Sequence, residues 1–552
     1  MVSAVPRETL WLALEILGEA QRTLGQTAAA EKTLRESIET IETVRSQVTG
    51  DALDRQQFFQ NKTAPYYALA EMLARNGKTF EALQFAERAK GRVLLDILQS
   101  GQQAGADKNL TAKEQTDEKN LKSAVFVTEN DLQRAAAKPN AERAALADLQ
   151  TKLDRSRGAL DSFTNALYAA HPEIKLQRGA GETLNSVSLK RLLPDAKTAL
   201  IEFVAAEKRT LVFVATLDAG APKIEIATVE IGREELNKTV AAFRQKLAAR
   251  DLRFSVDTRK LYDLLLAPVA KQIAGKTRIV LAPDAALWEL PFQALVDRSN
   301  KYVVESAAVS YAPSFSVLAE IERKQTDKTD VSNLLAFGNP ARKVTVKTGD
   351  KTSARPVSMS NEFADLPEAE RQVKALSALY GARRSQVFTG TNASETEFKR
   401  VAAKYKILHL ATHGVLDDAS PLYSYVLLSQ INEASGEDGK LEAWELMRMN
   451  LPANLVVLSA CETGRGRILQ GEGLIGLSWA FFVAGSPTTV ASLWKVESAA
   501  TTDLMLGFYR RMLNKSVSKA EALRQSSLAL LKNERYSHPF YWAGFVVVGD
   551  GD

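Results

Sequence analysis

At 552 residues, 45% apolar and 25% charged, the chain has room for two or three domains, each with its own core. Its 71 Lys and Arg against 66 Asp and Glu leave a net charge of +5, too mild over this length, and without any Lys/Arg block, for a nucleic-acid binder. One cysteine excludes an internal disulfide and any cysteine-based zinc site, and it fits a reducing cytosol. The opening MVSAVPRETLWLALEILGEA has no basic n-region and is broken by Glu15 and Glu19, so it reads as an amphipathic helix rather than a signal peptide. Nothing in the chain approaches the roughly 20 apolar residues of a membrane span. The expected location is cytoplasmic, with no membrane contact. The chain starts inside a helical pattern, which leaves room for a longer natural N-terminus.

Residues 1–100 read as TPR-like helical repeats. Leu10, Ala13, Leu14, Leu17, Ala20 and Leu24 recur at three- and four-residue steps, Gly25 reads as a stop and Thr27 as the next helix start. The string LGEAQRTLGQTAAAEKTL echoes LAEMLARNGKTFEALQFA, with Gly77 answering Gly25. Helix, glycine turn, helix is the tetratricopeptide (TPR) unit, and two units are too few for a free-standing solenoid. They are expected to pack on a neighbouring domain or a protein partner. Residues 101–185 read as linker and helical hairpin. The linker is polar (100–109), Thr111 with Glu114 makes a capping box, and the two charged helices break around Pro139 and end before His171 and Pro172.

From Ala199 strands take over: ALIEFVAA, TLVFVATL, KIEIATVEI and RIVLAPDAAL, with a helix over 234–250. A second set follows, NLLAFGNP, SQVFTG, KILHLATHG, NLVVLSAC and TTVASLW, interleaved with helices over 368–380, 395–404 and 474–484. Alternation of this kind predicts an α/β fold, a mostly parallel sheet with helices on both faces. Two sets predict two halves, 186–330 and 331–552. Residues 343–361, polar and rich in Ser and Thr, read as a surface loop.

The chemistry centres on Cys461, in LSACETG after the apolar run Leu455–Leu458, and His413, in HLATHG after Ile407–Ala411. In open parallel sheets functional groups gather at the carboxyl ends of strands, and both residues have that position. A thiol becomes a strong nucleophile as thiolate, and an imidazole promotes its ionisation and protonates a leaving amine. Gly414 has no side chain to cover its N–H, which with the Cys461 N–H would make an oxyanion hole. A free cysteine at a strand end is also often a small buried residue. His409 and His413 do not make a zinc motif: position 410 is Leu where HExxH has its Glu, and residues four apart on a strand are not neighbours. His409 reads as a core histidine, His171 and His538 as structural. Gly471, Gly473 and Gly476 spell G-x-G-x-x-G, but no strand leads directly into them and Glu472 would repel a phosphate. No metal and no cofactor is expected.

HLATHG, LSACETG, GEGLIGLSWAFFVAGSPTTVASLW and the ending HPFYWAGFVVVGD, in this order, resemble the CHAT family of caspase-like cysteine peptidases, relatives of caspases, separases and gingipains. The similarity runs from about Ser186 to the C-terminus and touches FEALQFAERAKGRVLLDIL (80–98). It implies a caspase-like fold with an inactive half (186–330) and an active half (331–552), behind TPR repeats. It implies His413 as acid/base, Cys461 as nucleophile and Gly414 as oxyanion donor. The roughly fifty-residue spacing of His before Cys is that of caspases. The family's pattern has two acids after LW-x-V. Here the run is LWKVESA, so Glu497 and, six residues on, Asp503 are the candidate pocket acids, and the match is partial. As helix-start acids they would also suit the helix dipole.

The expected function is a cysteine endopeptidase acting on protein substrates, with the repeats binding a protein partner. Members of the family are associated with bacterial signalling or defence. The rival is a catalytically silent TPR–CHAT interaction scaffold. Acidic pocket candidates predict cleavage after Arg or Lys, with Arg465 and Arg467 as self-cleavage candidates.

Overall fold

The computed structural model describes residues 7–47, 62–100, 110–136, 143–171, 183–325, 330–341, 365–416, 421–429, 437–459, 468–469, 473–474, 476–494, 498–514 and 516–552. Of the expected linker, Ser100 closes a helix and 101–109 lie outside the described residues, as does the loop expected at 343–361. The chain divides into two compact units, residues 1–49 with 95–182 and residues 50–94 with 183–552. No described helix is long and apolar enough to cross a membrane.

The helical region comprises α1 (Arg7–Thr23), α2 (Thr27–Gln47), α3 (Ala64–Arg75), α4 (Thr79–Arg88), α5 (Arg92–Ser100), α6 (Ala112–Ala136) and α7 (Arg143–Ala170). Gly25 and Gly77, at φ +75° and +74°, make the turns of the two matching hairpins, a backbone region glycine enters without strain. In the first unit, Gly18 faces Leu34 so closely that a Cβ would stand 2.8 Å from its side chain. That close approach sets the α1–α2 contact, and Leu17 and Leu24 of the expected apolar face are 48% and 72% exposed instead. The capping box forms as read: Glu114 N–H donates to Thr111 Oγ1 (3.2 Å) and Thr111 N–H to Glu114 Oε2 (2.8 Å). His171, just past α7, meets Glu114 Oε1 at 3.0 Å and ties the two ends of the α6–α7 hairpin. Hydrogen bonds from Thr111, then from His171, hold the Glu114 carboxyl down at about 2.

In the second unit come α8 (Ser186–Arg191), β1 (Thr198–Ala205), β2 (Thr210–Asp218), β3 (Ala221–Val229), α9 (Arg233–Ala248), α10 (Phe254–Leu265), β4 (Arg278–Ala282), β5 (Ala308–Tyr311) and α11 (Phe315–Lys324). The second set is β6 (Leu334–Pro340), α12 (Pro367–Tyr380), β7 (Ser385–Gly390), α13 (Glu395–Val401), β8 (Ile407–Ala411), β9 (Gly414–Val415), β10 (Tyr425–Leu427), β11 (Lys440–Glu442) and β12 (Leu455–Leu458). It ends with β13 (Ile468–Leu469), β14 (Gly473–Leu474), α14 (Leu477–Ala484), β15 (Thr488–Ser492), α15 (Ser498–Met512), α16 (Lys519–Leu531) and β16 (Phe545–Gly549). Both sets lie in one eleven-stranded sheet of order β3-β2-β1-β4-β5-β16-β15-β12-β8-β6-β7.

The fold is therefore of the expected α/β class, a large and mostly parallel sheet, preceded in sequence by an all-α region. The antiparallel pairs are β1–β2, β2–β3 and β15–β16. The β1–β2–β3 meander has connections too short for the crossover that a parallel pair needs. Two strands of this sheet escaped the sequence reading, β5 and β16, as did the short β10, β11, β13 and β14 outside it. The second is decisive, because β16 pairs parallel to β5 and antiparallel to β15 and so joins the two strand sets.

Side chains alternate across the sheet. Leu408, Leu410, Val456 and Leu458 face a core with Phe398 of α13 and Phe481 of α14, while His409 faces Gln372 of α12 and Tyr509 of α15. Helices thus cover both faces, which is why these strands are apolar throughout.

The α3–α4 hairpin belongs to this unit and seats on the ends of β1 and β4. Lys90 is 2% exposed and donates to the Phe203 carbonyl and, at 3.3 Å, the Ala282 carbonyl; Glu202 of β1, fully buried, lies 3.5 Å away. Glu87 accepts from the Phe315 and Ser316 N–H groups at 2.7 and 2.6 Å and caps α11. Burial, then the neighbouring Glu87, pushes the Glu202 carboxyl well above its ordinary range, with Lys90 opposing. Glu87 and Lys90 fall in the 80–98 string that carried the family resemblance.

Candidate active site

His413 follows β8 and is half-buried. Thr412 Oγ1 donates to the Leu427 carbonyl (2.5 Å), and the Leu427 N–H donates to the His413 carbonyl (2.8 Å). These bonds staple the strand end to β10. Gly414 pairs with Val426 in the antiparallel β9–β10 ladder. The bond from Leu427 to His413 brackets that pair as a non-hydrogen-bonded one, so the Gly414 N–H points away from β10.

β12 lies parallel to β8, with Leu455 opposite Ile407 and Leu458 opposite Leu410. His413 comes three residues after Leu410, and Cys461 three residues after Leu458. Cys461 itself lies outside the described residues, as do Arg465, Arg467, Gly471, Glu472 and Glu497. Asp503, on α15, is exposed.

His409 is fully buried between two polar partners, Tyr509 Oη at 2.9 Å from Nδ1 and Gln372 Oε1 at 3.2 Å from Nε2. It is a core histidine as expected, although its partners are distant in sequence rather than local. Burial pulls its pKa down to about 3, so the ring is neutral. With both nitrogens engaged it offers no metal a ligand. His538 caps a short helix, its Nδ1 accepting from the Phe540 N–H at 3.1 Å, a structural role.

Two carboxylate groups come together among the described residues, Glu322 with Asp550 and Asp552, and Glu395 with Glu437 and Glu445. The second already encloses a cation, since Lys399 Nζ meets all three at 2.6 Å. Burial raises the Glu395 carboxyl to about 8. In the first, Arg278 pairs with Asp552 at 2.7 Å. Of the Gly-x-Gly-x-x-Gly string, Gly473 pairs in the β13–β14 ribbon and Gly476 is the N-cap residue of α14.

Two residues that hold these strand ends, Arg244 and Gln372, carried no motif. Arg244 of α9 pairs with Glu289 and donates to the Leu493 carbonyl (3.0 Å), fixing the end of β15 from the first strand set. Trp494 Nε1 donates to the Phe540 carbonyl (3.1 Å). Gln372, 2% exposed, accepts from Ser459 Oγ at 3.2 Å as well as contacting His409. Its only signal was a polar residue inside the apolar stripe Val373, Leu376, Tyr380.

Residues 256–550 match the family model described as the CHAT domain, more than half of the chain. Tetratricopeptide repeat protein 28 of Homo sapiens is 25% identical over 335 residues, covering 53% of this chain and 13% of that protein. Its Mus musculus counterpart is 25% identical over 340 residues, with the same shares. The chain thus spans 13% of the length of these curated relatives. Among solved structures, the Saccharomyces cerevisiae separase–securin complex at 3.0 Å aligns with a TM-score of 0.42 and 11% identity, over 98% of this chain and 46% of that one. By this match over more than half of its length, the chain belongs to the CHAT domain family.

Proposed function

We propose that the protein is a caspase-like cysteine endopeptidase with His413 and Cys461 as its dyad. The observation that supports this is the β8–β12 register: Leu410 and Leu458, three residues before His413 and Cys461 in the sequence, lie opposite each other at the carboxyl ends of adjacent parallel strands. Cys461 gives its proton to His413 and attacks the scissile carbonyl as thiolate. The Gly414 and Cys461 N–H groups hold the oxyanion. On collapse, the imidazolium protonates the departing amine and leaves a thioester. Neutral His413 then takes a proton from water, the hydroxide attacks the thioester, and the acid leaves with the thiolate restored.

In the same reading residues 186–330 are a silent half that supports the active half, 331–552, and 101–185 are linker and hairpin. Glu497 and Asp503 select a basic residue before the cut. The TPR-like helices of 1–100 contact a protein partner, in keeping with relatives named as tetratricopeptide repeat proteins. No cofactor takes part, and a free thiolate suits the reducing cytoplasm. The test is labelling of Cys461 by a thiol-reactive peptide probe, together with a proteome-wide cleavage profile of wild type and Cys461→Ala. Identical profiles and an unlabelled thiol would leave the silent scaffold in its place.

A further inference from the structure

The groups around His409 form a chain whose proton directions are fixed. Gln372 Oε1 accepts only, so His409 Nε2 and Ser459 Oγ, both 3.2 Å away, must each donate to it. His409 Nδ1 then accepts from the Tyr509 hydroxyl at 2.9 Å. Gln372 Nε2 reaches the Thr501 carbonyl at 3.5 Å, which sets the orientation of the amide. His409, Tyr509 and Gln372 are at most 2% exposed. Apolar side chains at 372 and 409 would satisfy packing alone, and burying the polar groups of Gln372, His409 and Tyr509 is costly unless they are joined in this way.

The position of this chain gives it a use. His409 precedes His413 by four residues on β8, and Ser459 precedes Cys461 by two after β12. One amide oxygen therefore holds both strand ends. Its helix is rigidly seated, because a Cβ on Gly338 of β6 would stand 2.9 Å from the Ala369 carbonyl and 2.8 Å from Val373. We propose that Gln372 is a positioning residue, holding the ends of β8 and β12 at the separation that aligns His413 with Cys461, through His409 and Ser459. This rests on the dyad reading above.

The test uses the full chain and its only thiol. The iodoacetamide alkylation rate of Cys461 is measured against pH in wild type, Gln372→Leu, Gln372→Glu and Ser459→Ala, with kcat and KM on fluorogenic peptides. Thermal unfolding checks each fold. Wild type should ionise below the ordinary thiol value of about 8.5. Gln372→Leu should move the profile back toward it and lower kcat about 10- to 100-fold with KM little changed, the scale of a small misplacement. Gln372→Glu should match wild type while its buried carboxyl is protonated, a state with the same acceptor and donor as the amide, and fail as pH rises. If Gln372→Leu does not fold, Ser459→Ala, which removes one hydroxyl, should show a smaller shift in the same direction. A depressed wild-type profile that these variants leave unchanged, with kcat intact, overturns the positioning role and spares the dyad. An ordinary wild-type profile without cleavage overturns the dyad and this role with it.

Discussion

Leu458 lies directly opposite Leu410 on the neighbouring parallel strand, and in the sequence each precedes one residue of the proposed dyad, Cys461 and His413, by three. Cys461→Ala and His413→Ala are each expected to cut peptide cleavage at least about a thousandfold and to leave the unfolding temperature within a degree or two. The double variant should be no worse than either alone, because residues acting as one unit are not additive. Wild-type turnover by purified Cys461→Ala would remove the assignment.

Specificity is expected for Arg or Lys before the cut. A carboxylate holding a guanidinium makes a bidentate, charge-assisted pair that Lys matches less well and Asp not at all. Peptides differing only at that residue, assayed with Glu497→Ala and Asp503→Ala, read this directly. Asp503 is exposed on α15, so its variant should have the smaller effect. A preference for Asp, or indifference to both substitutions, would show that other residues form the pocket.

Lys90→Met should destabilise the second unit by about 1 to 3 kcal/mol in urea unfolding, since it leaves the buried Phe203 and Ala282 carbonyls without this donor. Adding Glu202→Gln should change this loss little, because burial already holds the proton on the Glu202 carboxyl. A 186–552 fragment, which lacks Glu87 and Lys90, should be less stable still. An unchanged transition midpoint in either case would mean that the hairpin is only an appendage.

The same carboxyl predicts a pH dependence. The folded pKa of Glu202 is raised, so between the ordinary carboxylate value and that raised value the unfolded chain has released a proton the folded one keeps. Its contribution to stability must therefore fall as pH rises through that window. Glu202→Gln should flatten this part of the stability–pH curve, and an unchanged slope would show that the proton resides elsewhere.

What could be read from the sequence depended on how local its cause was. Gly25 and Gly77 announced their turns, the capping pair Thr111 and Glu114 announced its helix, and runs such as Ile407–Ala411 could only be buried strands. The runs before His413 and Cys461 were legible as strands, and β8 and β12 pair in parallel. The β5–β16 pairing was not, since nothing within Phe545–Gly549 says which neighbours it will have. Gln372, Ser459 and Tyr509 were equally silent, because they come from three distant segments and meet only when the sheet and its helices are packed. The string containing Glu87 and Lys90 stood out, but its purpose, reaching the ends of β1 and β4, needed the folded unit.

The place of β16 bears on how a nascent chain closes this sheet. It is synthesised after every other described strand, yet it lies between β5 and β15. Until it emerges from the ribosome, both strand sets present an unpaired inner edge, and such edges are templates for the wrong partner. Joining them then requires contacts across hundreds of residues, the kind that slows folding most. The two sets must wait for each other, and the last strand made decides when they become one sheet.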